Sequence, residues 1–302
     1  MDLSFNPFLA FSWSIFAGFL MAMGAGGGGI LAGIGHISIL GIADANMIKV
    51  VNQLLELTSR FFSVPIYFKQ KRLIWPLALS FGIGAPIGAV AGSWASSTYL
   101  GSINDYKIAF GILVILVAGR TLYESLKPIK KKGSTDLAGV TSVRGVHSSR
   151  LSDSKDLHPM CRALGVTSFR LLRIEVQIGN DRFHFNPLVS ILGGFSISFV
   201  GAMLGVGGGF LVTPFLASVL IIPMFFAVGT ALVALMIPLT ASVITYLYLN
   251  TYIEWTLVAI EIPGIAIGSV LGPLANRRIN ERSLKLFVAA VLLAIGVYYL
   301  LW

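Results

Sequence analysis

Four consecutive glycines, Gly26-Gly27-Gly28-Gly29, interrupt an apolar segment that otherwise runs from Phe8 to Ile42. Each glycine is worse than alanine in a helix interior by roughly 1 kcal/mol. Inside a lipid bilayer the freed backbone groups also have no water to bond to, so such a run must be buried in protein or face a wet cavity. A second run, Gly205-Val206-Gly207-Gly208-Gly209, interrupts the apolar segment Leu188–Ile222. Two apolar segments broken by glycine at corresponding places point to a transporter's substrate site.

The correspondence extends beyond the glycines. At a constant offset of 180 residues, Phe5-Asn6-Pro7 meets Phe185-Asn186-Pro187, Ala22-Met23 meets Ala202-Met203, and Gly27–Gly29 meets Gly207–Gly209. The same offset relates Gly84, Ile87, Gly88, Val90 and Gly92 to Gly264, Ile267, Gly268, Val270 and Gly272. The chain is read as a tandem duplication, with repeats over 1–127 and 185–302 and an insert over 128–184. In each repeat the glycine run splits a short helix from another, at 7–24 and 30–40 and again at 187–204 and 209–222. Long apolar segments follow at 46–68, 73–99 and 105–126, then at 224–249, 253–276 and 282–301. A span needs about 20 residues, so the short helices read as halves of a hairpin that enters and leaves the membrane on one side.

Of the 302 residues, 56% are hydrophobic and 12% charged, half the soluble average of about 25%. This is an all-α integral membrane protein rather than a set of soluble domains. The first apolar stretch lacks a basic leader and a small-residue cleavage site, and reads as mature structure. The net charge of +9 does not indicate nucleic acid, because half of the 22 Lys and Arg lie between Lys127 and His184 and most others flank apolar segments. The single cysteine, Cys161, excludes an internal disulfide. The basic loops are Lys69–Arg72 and Lys127–Lys132 in repeat one, and Arg277-Arg278 with Arg282 and Lys285 in repeat two. The loop Asn250–Glu254, equivalent to the first of these, carries no cation. Basic loops face the cytoplasm, so the repeats are expected to insert in opposite directions. Each then comprises a glycine-broken hairpin plus three long transmembrane helices. The insert falls on the cytoplasmic side of the cell membrane and both termini on the other. The first part of the insert is rich in Ser, Gly and basic residues and reads as flexible. Its end, Arg173–Phe185, alternates around Gly179-Asn180 as a β-hairpin. His158 and Cys161 have metal-like spacing, but two ligands are too few for a site.

The charges inside the membrane are not spread evenly. Lys49, Gln53, Glu56, Arg60, Ser63 and Tyr67 follow steps of 4, 3, 4, 3 and 4, which makes one stripe on a helix. Their counterparts in repeat two are Gly229, Val233, Met236, Thr240, Val243 and Leu247. A charge at mid-bilayer costs at least about 2.5–3.5 kcal/mol on insertion scales, so Glu56 and Arg60 must face the protein interior or a cavity. They form either a structural pair that fixes helix packing or part of a substrate and proton path. Arg60 has the planar fork that grips an oxyanion at two points, and Glu56 can carry a coupling proton. Glu261, beside Pro263 in another apolar segment, can do the same or pair with a cation. Arg120 reads as snorkelling at a helix end. His36 reads equally as a packed polar residue or a titrating one. The glycine runs add backbone N–H groups and positive helix ends, an anion-binding concavity with no side chain in the way. The candidate binding set is therefore Gly26, Gly27, Gly28, Gly29, Gly207, Gly208, Gly209, Lys49, Gln53, Arg60 and Thr230, with Glu56 and Glu261 as proton carriers.

The residues Gly201-Ala-Met-Leu-Gly-Val-Gly-Gly-Gly-Phe-Leu-Val-Thr-Pro214, then Ala227-Val-Gly-Thr230, then Gly264–Gly272 resemble the sulfite exporter TauE/SafE-like family. The resemblance covers both repeats and not the insert. It implies an all-helical secondary transporter of sulfite, organosulfonates or related sulfur-containing oxyanions, exporting from the cytoplasm. Repeat one departs from the pattern: Ile34 stands opposite Pro214, and Lys49-Val50 opposite Gly229-Thr230. The alternative is an anion channel or uptake carrier on the same scaffold. A membrane enzyme would want a nucleophile–base set or paired metal ligands among the spans, and there is neither. No ATP-binding loop is present, and no cofactor is expected. The expected partners are a small anion, the lipid bilayer and protons as coupling ion.

Overall fold

A computed structural model describes residues 6–23, 27–126, 164–170, 173–178, 181–275 and, from a last helix, 290, 292–294, 296 and 297. Gly26, His158, Cys161, the basic tail after Leu126 and the cations at 277, 278, 282 and 285 lie outside them.

The first glycine-broken hairpin is α1 (Pro7–Met23) and α2 (Gly28–Ile34), the latter continued by one π-helical stretch, Gly35–Ile39. Then come α3 (Ala45–Lys69), α4 (Trp75–Tyr99) and α5 (Ile103–Leu126). The second hairpin is α6 (Pro187–Met203) and α7 (Gly209–Ser218). It is followed by α8 (Met224–Ala234), α9 (Met236–Tyr248) and α10 (Trp255–Ala275). Asp44 starts α3 by accepting from the Asn46 and Met47 amides at 2.9 and 3.1 Å, and Asn186 starts α6 in the same way. Asparagine and aspartate at this position satisfy amides that have no carbonyl to bond to.

Among the described residues, four helical stretches are long and apolar enough to cross a membrane: α4, Ile103–Tyr123 of α5, Phe225–Tyr248 and α10. α3 matches α4 in length but carries Lys49, Glu56 and Arg60. The sequence expects one continuous helix over 224–249, and the structure breaks it at Leu235 into α8 and α9. Pro238 is the cause, because its ring and missing N–H fall opposite the Ala234 carbonyl.

The two copies of the duplicated segment are interlocked through their glycines. α1 packs along α10, and α6 along α4. A Cβ built on Gly84, Gly88 or Gly92 would strike the carbonyls of Ile191, Phe195 and Phe199 in turn. A Cβ on Gly264, Gly268 or Gly272 would strike those of Phe11, Ile15 and Phe19. These are the same three contacts displaced by 180 residues, so each first half-helix docks on the other copy's long helix. Backbone approach this close requires small residues. Gly88→Ala and Gly268→Ala are therefore each expected to cost about 1–3 kcal/mol by overpacking. Thermal unfolding in detergent checks this against Gly119→Ala, whose added methyl meets nothing within 4 Å.

Strands β1 (Leu164–Arg170), β2 (Arg173–Ile178) and β3 (Asp181–Phe185) form one antiparallel sheet in that order. β2 and β3 pair in the register that the alternating sequence predicts, Ile174 opposite Phe185 and Val176 opposite Phe183. β1 is an additional strand that the alternation does not announce. Ile174, Val176 and Phe185 are buried in one cluster with Ile74, Leu77, Leu220 and Phe226, so the end of the insert is part of the helical core.

Candidate functional site

All six members of the α3 stripe are buried, Lys49 through Tyr67, so the periodic polar face points inward. Around its middle the two glycine runs converge. A Cβ on Gly29 would overlap Oε1 of Glu56 and crowd the Val206 carbonyl, and a Cβ on Gly207 would overlap Oε2. The Glu56 carboxylate is thus held between the backbones of both runs. Arg60 holds it from one turn further along α3: Nη2 lies 2.7 Å from Oε2, and Nη1 donates to the Glu56 carbonyl at 2.8 Å.

The loops that make this possible form differently in the two copies. Gly205, Gly207 and Gly208 have φ of +66°, +61° and +72°, a region that residues with a Cβ rarely enter. Gly27 has φ −110°. Both hairpins nevertheless close on equivalent pairs, since Gly28 abuts the Met21 backbone and Gly201 abuts Gly208. Carbonyls at the ends of α1 and α6 accept from side-chain donors. Tyr67 Oη donates to Ala22 O at 2.8 Å and Tyr106 Oη to Leu204 O at 3.0 Å. Tyr246 Oη and Gln53 Nε2 both donate to Ala202 O at 3.2 Å.

A small cavity opens beside Glu56 and Arg60 and is lined by Gly28, Gly29, Val206, Gly209, Phe210 and Thr213, with Leu20, Met21, Ala231, Leu232 and Leu235. α2 starts at Gly28 and α7 at Gly209, so the first-turn amides of both half-helices and their positive ends lie at this cavity. The arrangement has the parts of an oxyanion seat: two helix N-termini, glycine backbone and one guanidinium. An internal carboxylate occupies part of it.

Several expected contacts lie elsewhere. Lys49 uses all three of its N–H groups on Asn46 Oδ1, Ser96 Oγ and the Leu100 carbonyl, at 3.0, 2.7 and 2.6 Å. It closes the end of α4 and stacks over Tyr106, away from the cavity. Thr230 Oγ1 accepts the Ile74 amide at 3.1 Å and ties α8 to the start of α4. Gln53 and Gly207 border a smaller recess with Ser198, Ser242, Pro238 and Leu239. Gly27 and Gly208 precede the helix starts as caps. Arg120 is exposed near the end of α5.

Glu261 is not at the cavity. Both its oxygens face His36 Nε2, at 3.1 and 3.0 Å, and His36 Nδ1 lies 2.7 Å from Asn52 Oδ1. The sequence singled out His36 and Glu261 separately and did not single out Asn52. Position 52 is four residues before Glu56 on the same inward side of α3, and that spacing was the available signal. Thr213 and Phe210 at the cavity were also missed, because nothing in an apolar half-helix marks the residues that border a void.

The profile of the family described as sulfite exporter TauE/SafE matches residues 10–299. The chain belongs to that family. It is therefore a membrane transport protein of the TauE/SafE type and not an enzyme. A relative in Bacillus subtilis (strain 168), the "Probable membrane transporter protein YunE", is 21% identical over 231 residues, which is 76% of this chain and 71% of the relative. No solved structure matches the chain.

Proposed function

We propose that this TauE/SafE protein is a secondary transporter that exports small sulfur-containing oxyanions, sulfite and organosulfonates among them, across the cell membrane with protons as the coupling ion. One observation carries the reading: the Glu56 carboxylate sits between the two glycine runs, paired with Arg60, at the meeting point of two half-helix N-termini. A carboxylate there is a resident stand-in for a substrate anion. Protonating Glu56 neutralises it and leaves Arg60 and the glycine amides to the incoming oxyanion. Binding the anion and binding the proton are then linked at one place. The two therefore leave the cytoplasm together, driven by the outward anion gradient and by the membrane potential acting on the remaining negative charge. The interlocked duplication supports two repeats inserted in opposite directions, with the insert cytoplasmic, both termini outside, and the site alternately open to each side.

Flux into proteoliposomes, measured for sulfite, sulfate, thiosulfate and an alkyl sulfonate with and without a pH gradient, tests this. Saturable, gradient-accelerated flux of the sulfur(IV) and sulfonate anions is expected. Flux that rises without saturation and ignores the gradient would make the protein a channel instead. Inward accumulation driven by the natural gradient would make it an uptake carrier.

A further inference from the structure

We propose that His36, Asn52 and Glu261 form a proton-binding site of their own, separate from the anion cavity and linked to it through α2 and α3. The three side chains come from three elements. His36 lies on the π-helical continuation of α2, Asn52 on α3, and Glu261 on α10, the long helix of the other repeat. They are 1%, 0% and 1% exposed, and none borders the cavity. π-helical turns are rare and concentrate at functional positions.

Symmetry separates a working site from an interlock. At the 180-residue offset, the equivalents of His36, Asn52 and Glu261 are Leu216, Leu232 and Phe81. All three are buried, at 0%, 5% and 0% exposure, and Leu216 and Phe81 share one hydrophobic cluster. The other repeat therefore fills the positions of His36 and Glu261 with two apolar residues of one cluster, while Leu232 packs in another with Tyr67 and Val228 and borders the cavity. A buried ion pair is commonly no more stabilising than apolar residues of similar volume. Replacing three apolar residues by these three polar ones gains nothing in packing, so the trio is present for its chemistry.

The hydrogen bonds show what that chemistry is. Nδ1 faces the Asn52 oxygen while Nε2 faces both Glu261 oxygens, so a doubly protonated ring finds an acceptor for each of its N–H groups. Asn52 Nδ2 is buried with no hydrogen-bond partner. When the ring loses its Nδ1 proton, the amide can turn, and Nδ2–H then donates to the freed Nδ1 lone pair while Nε2–H stays on Glu261. One proton leaves, no bond breaks without replacement, and the trio passes from neutral to a single negative charge. The neutral, loaded state is the one a low-dielectric interior accepts. The charged, empty state is expensive there and favours a conformation in which water reaches the pair.

The groups facing His36 from each neighbour define its surroundings. α10 presents Glu261; α3 presents Asn52, and one turn either side of it Glu56 and Lys49; α1 presents Trp13, packed on Gly35; and α5 presents Phe110, beside Gly33 and Asn52. Glu56 is held by Arg60 and Lys49 by the end of α4, so among the described residues Glu261 is the charged group in hydrogen-bond contact with the ring. Gly28 and Gly29 border the cavity at the start of the helix that carries His36 at its end. Asn52 and Glu56 are four residues apart on α3. Movement of either element connects the two sites.

Only the coupling role rests on the transport reading above; the proton site stands without it. Histidine-labelled protein in lipid nanodiscs, titrated by NMR of the ring nitrogens, tests the site with no substrate present, His36→Gln supplying the assignment. The expected result is a His36 ring that changes protonation state across the titration. A ring held doubly protonated, or held neutral, at every pH where the protein stays folded would overturn the site. Coupling is tested with the triple variant His36→Leu, Asn52→Leu, Glu261→Phe, which installs the other repeat's own residues. Sulfite–sulfite exchange in proteoliposomes is expected to persist, and accumulation driven by a pH gradient to fall to the no-gradient level. His36→Gln, which keeps a side chain of polar shape at the position, is expected to give the same loss should the triple variant fail to insert. Full gradient-driven accumulation in either variant would overturn the coupling role. Absence of sulfite, sulfate, thiosulfate or sulfonate flux in the unmodified protein, with a titrating His36, would instead sink the substrate reading and leave the proton site intact.

Discussion

Arg60→Lys is expected to raise the dissociation constant for sulfite ten- to a hundredfold while the protein still inserts and folds. Arg60 makes a close pair with the Glu56 carboxylate and a bond to the Glu56 carbonyl, and its Nε is buried without a hydrogen-bond partner. A guanidinium thus has donors to spare for an arriving oxyanion, in a rigid plane. An ammonium on a flexible stem keeps the charge but loses that planar fork. One charge-assisted hydrogen bond lost corresponds to about 1.5–3 kcal/mol, which is the stated range. Arg60→Ala is the less informative change, since it strands Glu56 as a buried charge at about 3–5 kcal/mol. Pairing it with Glu56→Gln removes that penalty. Equilibrium binding of sulfite to Arg60→Lys and to the double variant decides the matter. Normal affinity in both would leave the glycine backbone as the whole seat.

Gly29→Ala and Gly207→Ala are each expected to abolish transport. A methyl at either position overlaps an oxygen of Glu56, so the carboxylate must leave its place between the two runs. Well-packed sites resist such additions at about 1–3 kcal/mol. Gly207 adds the strain of a left-handed backbone, roughly 1–2 kcal/mol for a residue with a Cβ. Gly41→Ala is the control, because Gly41 has φ +65° yet meets nothing within 4 Å. It carries the strain without the collision and is expected to transport. Flux and thermal stability measured on the three variants separate backbone strain from loss of the seat. Equal transport by all three would show that the convergence of the runs on Glu56 has no part in function.

Much of the architecture was legible because it depends on local patterns. The 180-residue offset is a matter of identity along the chain, and the helix ends follow from apolar length and glycine breaks. The inward face of α3 followed from the spacing of Lys49, Gln53, Glu56, Arg60, Ser63 and Tyr67, since a charge in lipid has nowhere else to point. The rest depended on which helix packs on which, and spacing along one chain does not carry that. Lys49 and Glu56 lie on the same stripe, yet one closes the end of α4 and the other meets both glycine runs, because different neighbours arrive along the length of α3. His36 and Glu261 are 225 residues apart. They meet only because α1 docks on the other repeat's α10, which brings α2 and its π-helical turn against that helix. The sequence by itself determined a membrane transporter with two glycine-broken segments related at a fixed offset and with charge on one helix face. Only the tertiary structure decided which of those charges border the cavity, and that Glu261 of α10 meets His36 away from it. Interlocking two repeats is a long-range choice, made by the fit of glycine faces to backbone carbonyls.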